Sequence, residues 1–307
     1  MEVLPKDVVL EFHEDTLSGV RKIHGLDEPG KMRVVVDALE EWVQKQEHFL
    51  KKDFSRHYLE TTIISSKGLL QRAQKRLQNV CRQRREHPQY FGDFVIKNDF
   101  QEFHGIITHA VLPKQTKEYN RVLLIRNIGK KFQSNFILQV IRIYIMMFEY
   151  LKIHDYSDGL ILIADLREVS LMEAIRKMNL FDLRQAASIL IEGYGVRVKG
   201  LHILSTSRII NLLVWILKQV LSAKLIGRIQ VHQGVETLHN VVPKHILPVD
   251  YNGEEKALGD IHDQWYDVLS TAEFRSYLTD MLRAKCDESL LQTDDPNQID
   301  ITNLNVD

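Results

Sequence analysis

The chain has 307 residues, 44% hydrophobic and 26% charged. That composition excludes global disorder, collagen and a disulfide-stapled miniprotein, and the length suits one large domain or a core with a smaller appendage. Forty Lys and Arg face 41 Asp and Glu for a net charge of −1, so affinity for an anionic surface must come from a local patch, and nothing points to nucleic acid. Residues 1 to about 90 read as helical. Asp27 is a candidate cap with Pro29 in the first turn, before Val34, Val35, Leu39, Trp42 and Val43 at helical spacing. A second helix from about Ser66 to Arg84 carries Leu69, Leu70, Ala73, Leu77 and Val80 on one face. Its other positions hold Lys67, Arg72, Lys75, Arg76, Arg82, Arg84 and Arg85 without an acid. That basic face is either solvated or turned to a membrane or partner.

After Pro88 short β-rich runs alternate with amphipathic helices. Arg121–Arg126 is a strand candidate, and a helical stripe runs from Phe136 to Leu151. Gly159–Leu166 reads as a strand covered on both faces. Leu171 to Ile191 reads as a helix and Val198–Leu204 as a strand. Ser207 to Leu221 reads as a helix capped by Ser205 or Ser207, and Arg228–His232 as another strand. This β-α-β-α order predicts an α/β fold with a mostly parallel sheet. A helix around Ile261–Arg283 and a tail with six acids and no base after Lys285 complete the pattern.

The start, MEVLPKDVVLEFHED, lacks the features of a secretory signal. The most apolar stretch, Ile209–Leu221, is broken by Asn211, Lys218 and Gln219 and falls short of the roughly 18 residues a span needs. Cys81 and Cys286 form no CxxC pair. A cytoplasmic protein without a transmembrane segment is expected. No GxGxxG, GxxxxGK[ST], GxSxG or HExxH occurs. His104 and His109, five apart, read as two exposed histidines and not a metal pair, and Asp165, at a strand end, has no partner acid or base beside it and reads as structural. No catalytic residue, metal or cofactor is expected, and the chain does not read as an enzyme. What stands out is an excess of apolar surface: the run IINLLVWILKQVL is apolar nearly all round. Such a helix is buried on every side, touches a membrane, or covers an apolar cavity. Arg197, Lys199 and Arg208 precede it, and Lys224 and Arg228 follow it.

The segment Gly195–Gly253, with VKGLHIL, the apolar helix, RIQVH and LPVDYNG, resembles the C-terminal half of a CRAL-TRIO lipid-binding domain. RVLLIR and GLILIADL are similar to the first half, and EWVQKQEHFL and SKGLLQRAQKRL to the family's helical extension. LGDIHDQWYDVL resembles the last helix of the tocopherol- and retinoid-carrying branch. Departures mark a divergent member. Ser205-Thr206-Ser207 replaces Asn-x-Pro at the lid's hinge, Glu168 stands for a Gly, and Asn252 stands in Tyr-Gly-Gly, where Asn tolerates the left-handed backbone.

The resemblance implies a CRAL-TRIO-like sheet flanked by helices around a lipid cavity, preceded by an all-helical subdomain. Its expected boundaries are a helical extension over 1–90, the lipid-binding domain over 91–255, a C-terminal helix over 256–285 and an acidic tail without fixed structure over 286–307. It implies a ligand cavity lined by Ile141, Tyr144 and Phe148, by Leu160 and Ala164, by Ile189 and Leu190, by Val196 and Val198, and by Leu213, Val214, Leu217 and Val220 of a lid helix. Tyr144, with Ser188, would be a sparse polar anchor; plain core packing is the competing reading for each residue. It also implies phosphoinositide contacts at Arg197, Lys199, Lys224 and Arg228. At about 1 kcal/mol per base near an anionic leaflet, four bases give roughly millimolar docking. The expected function is transfer of a small tocopherol- or retinoid-like lipid between membranes, with peripheral, reversible docking. Phospholipid exchange, or an interaction module whose cavity is filled, are the alternatives.

Overall fold

The computed structural model describes residues 3–290; most of the expected acidic tail lies outside the described residues. Helices α1 (Thr16–Ile23), α2 (Lys31–Lys45), α3 (Arg56–Ser65), α4 (Leu70–Glu86) and the short α5 (Ile96–Asp99) come first. Then follow β1 (Ile107–Val111), β2 (Asn120–Asn127), α6 (Phe136–His154), β3 (Gly159–Asp165), α7 (Leu171–Arg176) and α8 (Leu180–Ala187), which runs into a π-helical turn, Ser188–Gly193. The chain continues through β4 (Val198–Leu204), α9 (Ile210–Lys218), α10 (Ala223–Ile226), β5 (Ile229–His232), α11 (Leu258–Leu269) and α12 (Ala272–Met281).

The strands form one sheet in the order β1-β2-β3-β4-β5. β1 and β2 are antiparallel and the other pairs parallel. Each parallel connection steps to the next strand in the same direction. Right-handed crossovers therefore put α6, α7 with α8, and α9 with α10 on one face. The other face is also buried: Val122, Leu124, Ile163 and Leu204 share a core with Leu238, Val242, Ile246 and Leu247. The free edge of β1 is blunted by α11. His262 Nδ1 lies 3.0 Å from the His109 carbonyl oxygen, and the Trp265 indole N–H donates to Val111 O at 2.8 Å. An edge strand covered in this way offers no template for pairing with another chain.

Helix α6 is pinned through Glu149. Arg84 of α4 and Tyr194 donate to one carboxylate oxygen, and Tyr277 of α12 donates to the other at 2.6 Å. The arrangement satisfies a charge that could not otherwise be buried.

Three local expectations change. The helix expected over Leu171–Ile191 is interrupted where the Asn179 side chain accepts from Phe181 N–H at 2.9 Å and starts α8 anew. The C-terminal helix is interrupted where Thr271 caps α12, accepting from Phe274 N–H at 3.3 Å. In both, a capping side chain outcompetes continuation of the apolar stripe. Asp27 is not a cap: the turn ends at Gly30, at φ 80°, and α2 begins after it. Asn252 adopts the left-handed conformation expected of it, at φ 54°.

Candidate ligand cavity and its basic rim

Between the sheet and its helical face lies a cavity of about 210 Å³. The sheet supplies Leu123, Ile125, Leu160, Leu162, Val198 and Leu201, and α6 supplies Tyr144 and Phe148. Leu183, Ala186, Ala187, Leu190 and Ile191 come from α8 and the π-helical turn, Val196 from the turn before β4, and Leu217, Val220, Leu221 and Leu225 from α9 and the segment after it. No charged residue is on this wall. Side chains alternate along a strand, so Leu123 and Ile125, or Leu160 and Leu162, share a face. Val198 and Leu201 share it too, although they are three apart, because the β3–β4 register shifts there: Leu160 pairs with Val198 and Ile161 with Gly200. The extra residue is Lys199.

Of the residues expected to line the cavity, Tyr144, Phe148, Leu160, Leu190, Val196, Val198, Leu217 and Val220 are on its wall. Ile141 and Ile189 pack into the main core. Leu213 is buried in a second small core with Leu171, Ile203 and Ile210, and Val214 packs against it. Ala164 pairs with Ile203, at the level of that second core. Leu213 thus anchors α9 to the sheet, while Leu217 and Val220, one and two turns on, face the cavity. Ser188 is not an anchor: Gln83 donates to its hydroxyl at 2.8 Å, and the hydroxyl donates to Glu192 at 3.1 Å. Tyr144 is the polar residue of the wall, and burial pushes its phenol well above the usual range.

A smaller chamber of about 90 Å³ shares Phe148, Leu160 and Val196 with the cavity. Its remaining walls are largely polar, with Thr61, Ser65, Arg121, Lys152, Asp155, Asp158 and Arg197. Lys152 is buried and donates to Thr62 Oγ1 at 2.9 Å. Burial, then the charge of Arg76, pushes its ammonium down to about 7.

The four cations expected to meet phosphate are placed differently from one another. Arg197 and Lys199 both bind Asp158, each at 2.6 Å. Burial alone would raise the Asp158 carboxyl. Hydrogen bonds from His24 and Lys199 and the charge of Arg197 outweigh it and hold that carboxyl well below the usual range. Arg228 donates to the Val198 carbonyl. Lys224 is exposed on α10. Beside it the N-terminal helices bring cations that motif reasoning left unassigned. Burial and then the charges of Lys224, Arg72, Arg197 and Arg76 push the Lys67 ammonium down. Arg76 is lowered by burial and by Arg197 and Arg72. The signal in the sequence was the run without an acid; the fold brings Lys67, just before α4, within reach of Lys224 on α10. Asp165 is spent structurally, binding the Arg167 guanidinium at 2.7 Å and accepting from Tyr251 Oη at 2.9 Å.

The exposed face of α9 carries apolar side chains beside Asn211 and Lys218: Trp215 is 58% exposed and Leu212 40%. Phe181 of α8 is 55% exposed. Among the described residues no helix is long and apolar enough to cross a membrane.

The fold and cavity together define a class: an α/β domain whose helical face encloses an apolar chamber instead of a filled core. Residues 108–253 match the CRAL/TRIO domain family. It is 27% identical over 277 residues to the alpha-tocopherol transfer protein-like proteins of Mus musculus and Homo sapiens, covering 88% of this chain and 78% of each relative. The crystal structure of Sfh5 is similar in fold, with a TM-score of 0.51 at 9% identity over 88% of this chain and 98% of that one.

Proposed function

We propose that this protein is a carrier, not a catalyst. It takes up a small hydrophobic lipid in the 210 Å³ cavity and exchanges it at an anionic membrane, with α9 moving as a lid. The observation that carries the reading is an apolar wall without a charge, bordered by a helix that also exposes Leu212 and Trp215. The relatives named for α-tocopherol transfer support the same reading. A core this size is normally filled. A dry chamber of about 150 Å³ takes one benzene ring, so this one of about 210 Å³ suits a guest of about eight heavy atoms as it stands. A larger isoprenoid enters by displacing Leu217, Val220 and Leu221 outward. At about 0.8 kcal/mol per methylene, ten carbons gain roughly 8 kcal/mol before ordering costs.

Docking uses two features. Lys67, Arg72, Arg76 and Lys224, with Arg197, Lys199 and Arg228, meet phosphoinositide phosphates, while Leu212 and Trp215 of α9 enter the leaflet's apolar boundary. A second reading, exchange of a phospholipid, is favoured by the adjoining polar chamber with Lys152 and Arg197. Organic extraction and mass spectrometry of protein purified from its own cells separate the two. A neutral apolar lipid is the expected cargo, and a phospholipid would favour the second reading. Empty protein that also takes up no apolar probe would end both.

A further inference from the structure

A pocket of about 240 Å³ lies beside the start of α6 and shares no lining residue with the apolar cavity. Three phenylalanines line it: Phe103 from the turn after α5, Phe132 from the loop after β2, and Phe136, the first residue of α6. The rings of Phe103 and Phe136 have centroids 5.5 Å apart and are tilted by 55°, and those of Phe132 and Phe136 are 4.4 Å apart and tilted by 57°. The frame around them is tied together. Ile128 N–H donates to the Ile106 carbonyl at 2.9 Å, and Ser170 N–H donates to the Gly129 carbonyl at 2.8 Å. A side chain at Gly129 would come within 2.6 Å of the Phe132 ring and 2.9 Å of Ile106, so glycine is what lets both pack against the loop.

Glu102 shares this wall. Its Oε1 is buried and has no hydrogen-bond partner among the described residues. A buried carboxylate oxygen without a partner is costly, and one beside a pocket calls for a cationic group from outside the chain. Phenyl faces attract a cation but offer no lone pair, so they cannot complete the shell of about six oxygens that calcium or magnesium takes. A primary ammonium has three N–H donors to satisfy, and the acceptors of this lining are Glu102 and the exposed Gln133. A quaternary ammonium has no N–H. Its charge is spread over methyl groups, which rings can cover while a carboxylate balances the charge. A dry chamber of about 150 Å³ takes one benzene ring, so this pocket has room for a trimethylammonium head. The start of α6 adds partial positive charge here, so attraction has to come from Glu102. Lys131 and Gln133 are the exposed residues of the lining, and both are polar; such a rim takes its ligand from water and not from a leaflet.

We propose that this pocket binds a soluble quaternary ammonium compound of the choline type, its methylated head among Phe103, Phe132 and Phe136 and against Glu102. The site is separate from the lipid cavity and does not depend on the carrier reading.

The test uses the full chain and three probes: choline, its uncharged carbon isostere 3,3-dimethyl-1-butanol, and ethanolamine, which keeps the charge but lacks the methyl groups. Titrations are followed through the backbone amide shifts of Gly129 and Gln133. Choline is expected to bind at least about tenfold more tightly than either control. Glu102→Gln keeps the shape of the side chain and removes its charge. It should weaken choline by at least about tenfold, leave the isostere unchanged and leave the rest of the amide spectrum in place. Phe132→Leu keeps the pocket apolar and removes one ring, and should weaken choline as well. Equal binding of choline and the isostere, or undiminished choline affinity in Glu102→Gln, would overturn the cation site. Ethanolamine binding as tightly as choline would overturn the methylated head. Shifts that appear with phosphatidylcholine vesicles and not with free choline would overturn the soluble ligand, and no shift with any probe would overturn the site altogether.

Discussion

Helices α6 and α9 are both apolar nearly all round and both wall the same cavity, yet the fold treats them oppositely. α6 has the cavity on one side and the N-terminal helices on the other, so that Ile143, Met146, Met147 and Tyr150 are all buried. α9 is held to the sheet through Ile210 and Leu213 and presents Leu212 and Trp215 to the outside. α6 also carries a buried carboxylate tied to α4, α12 and Tyr194, whereas no buried ion pair of the described residues involves α9. A largely apolar helix is thus buried where a second layer covers it and exposes apolar side chains where none does.

The largest expected effect breaks the wall. Arg84→Met leaves Glu149 buried without its cation and should cost about 3–5 kcal/mol, read as a lower urea midpoint at constant slope.

Acid should act on the same side of the molecule. Burial pushes the His57 imidazole, which lies 3.1 Å from the Asp155 carbonyl at the end of α6, down to about 4. Its value falls on folding, so below pH 6.5 the unfolded chain takes up a proton that the folded chain cannot. Its contribution is intact above pH 6.5 and is lost as pH falls toward 4, by about 3 kcal/mol for this one group. Denaturation curves at pH 7 and pH 4.5 check this, and His57→Gln should shrink the difference between them.

The smallest effect on stability belongs to α9. Trp215→Ser should change the unfolding free energy by less than about 0.5 kcal/mol, because the ring is already exposed. Binding to phosphoinositide vesicles should fall about tenfold, as expected for an indole that leaves water only on docking. A stability loss matching that of Arg84→Met would mean that α9 is a second wall.

Much of the sheet was legible beforehand. The runs in β2, β3, β4 and β5 are short, β-branched and bounded by turns or helices, and their elements fall within a few residues of expectation. β1 was not legible: Ile107–Val111 is five residues long with a buried histidine at its centre, and α11, not its own pattern, completes its edge. Leu201 was missed because counting by twos from Val198 lands on Gly200. The slip at Lys199 is a property of pairing with β3 and leaves no mark in the strand's own alternation. Leu213 and Leu217 look equivalent on a helical wheel; what separates them is that Leu213 is buried among Leu171, Ile203 and Ile210, while Leu217 packs only against the margin of that core and lines the cavity as well.

The amino-acid sequence by itself determined the alternation of strand and helix, the excess of apolar helix surface and a basic helix face without acids, because these are local properties of periodicity and charge. Tertiary structure alone decided that the excess surface surrounds a cavity and that Lys67 and Lys224, far apart in the chain, come within electrostatic reach of each other. Those facts depend on which distant segments share a volume, and no local pattern encodes what a side chain will find opposite it.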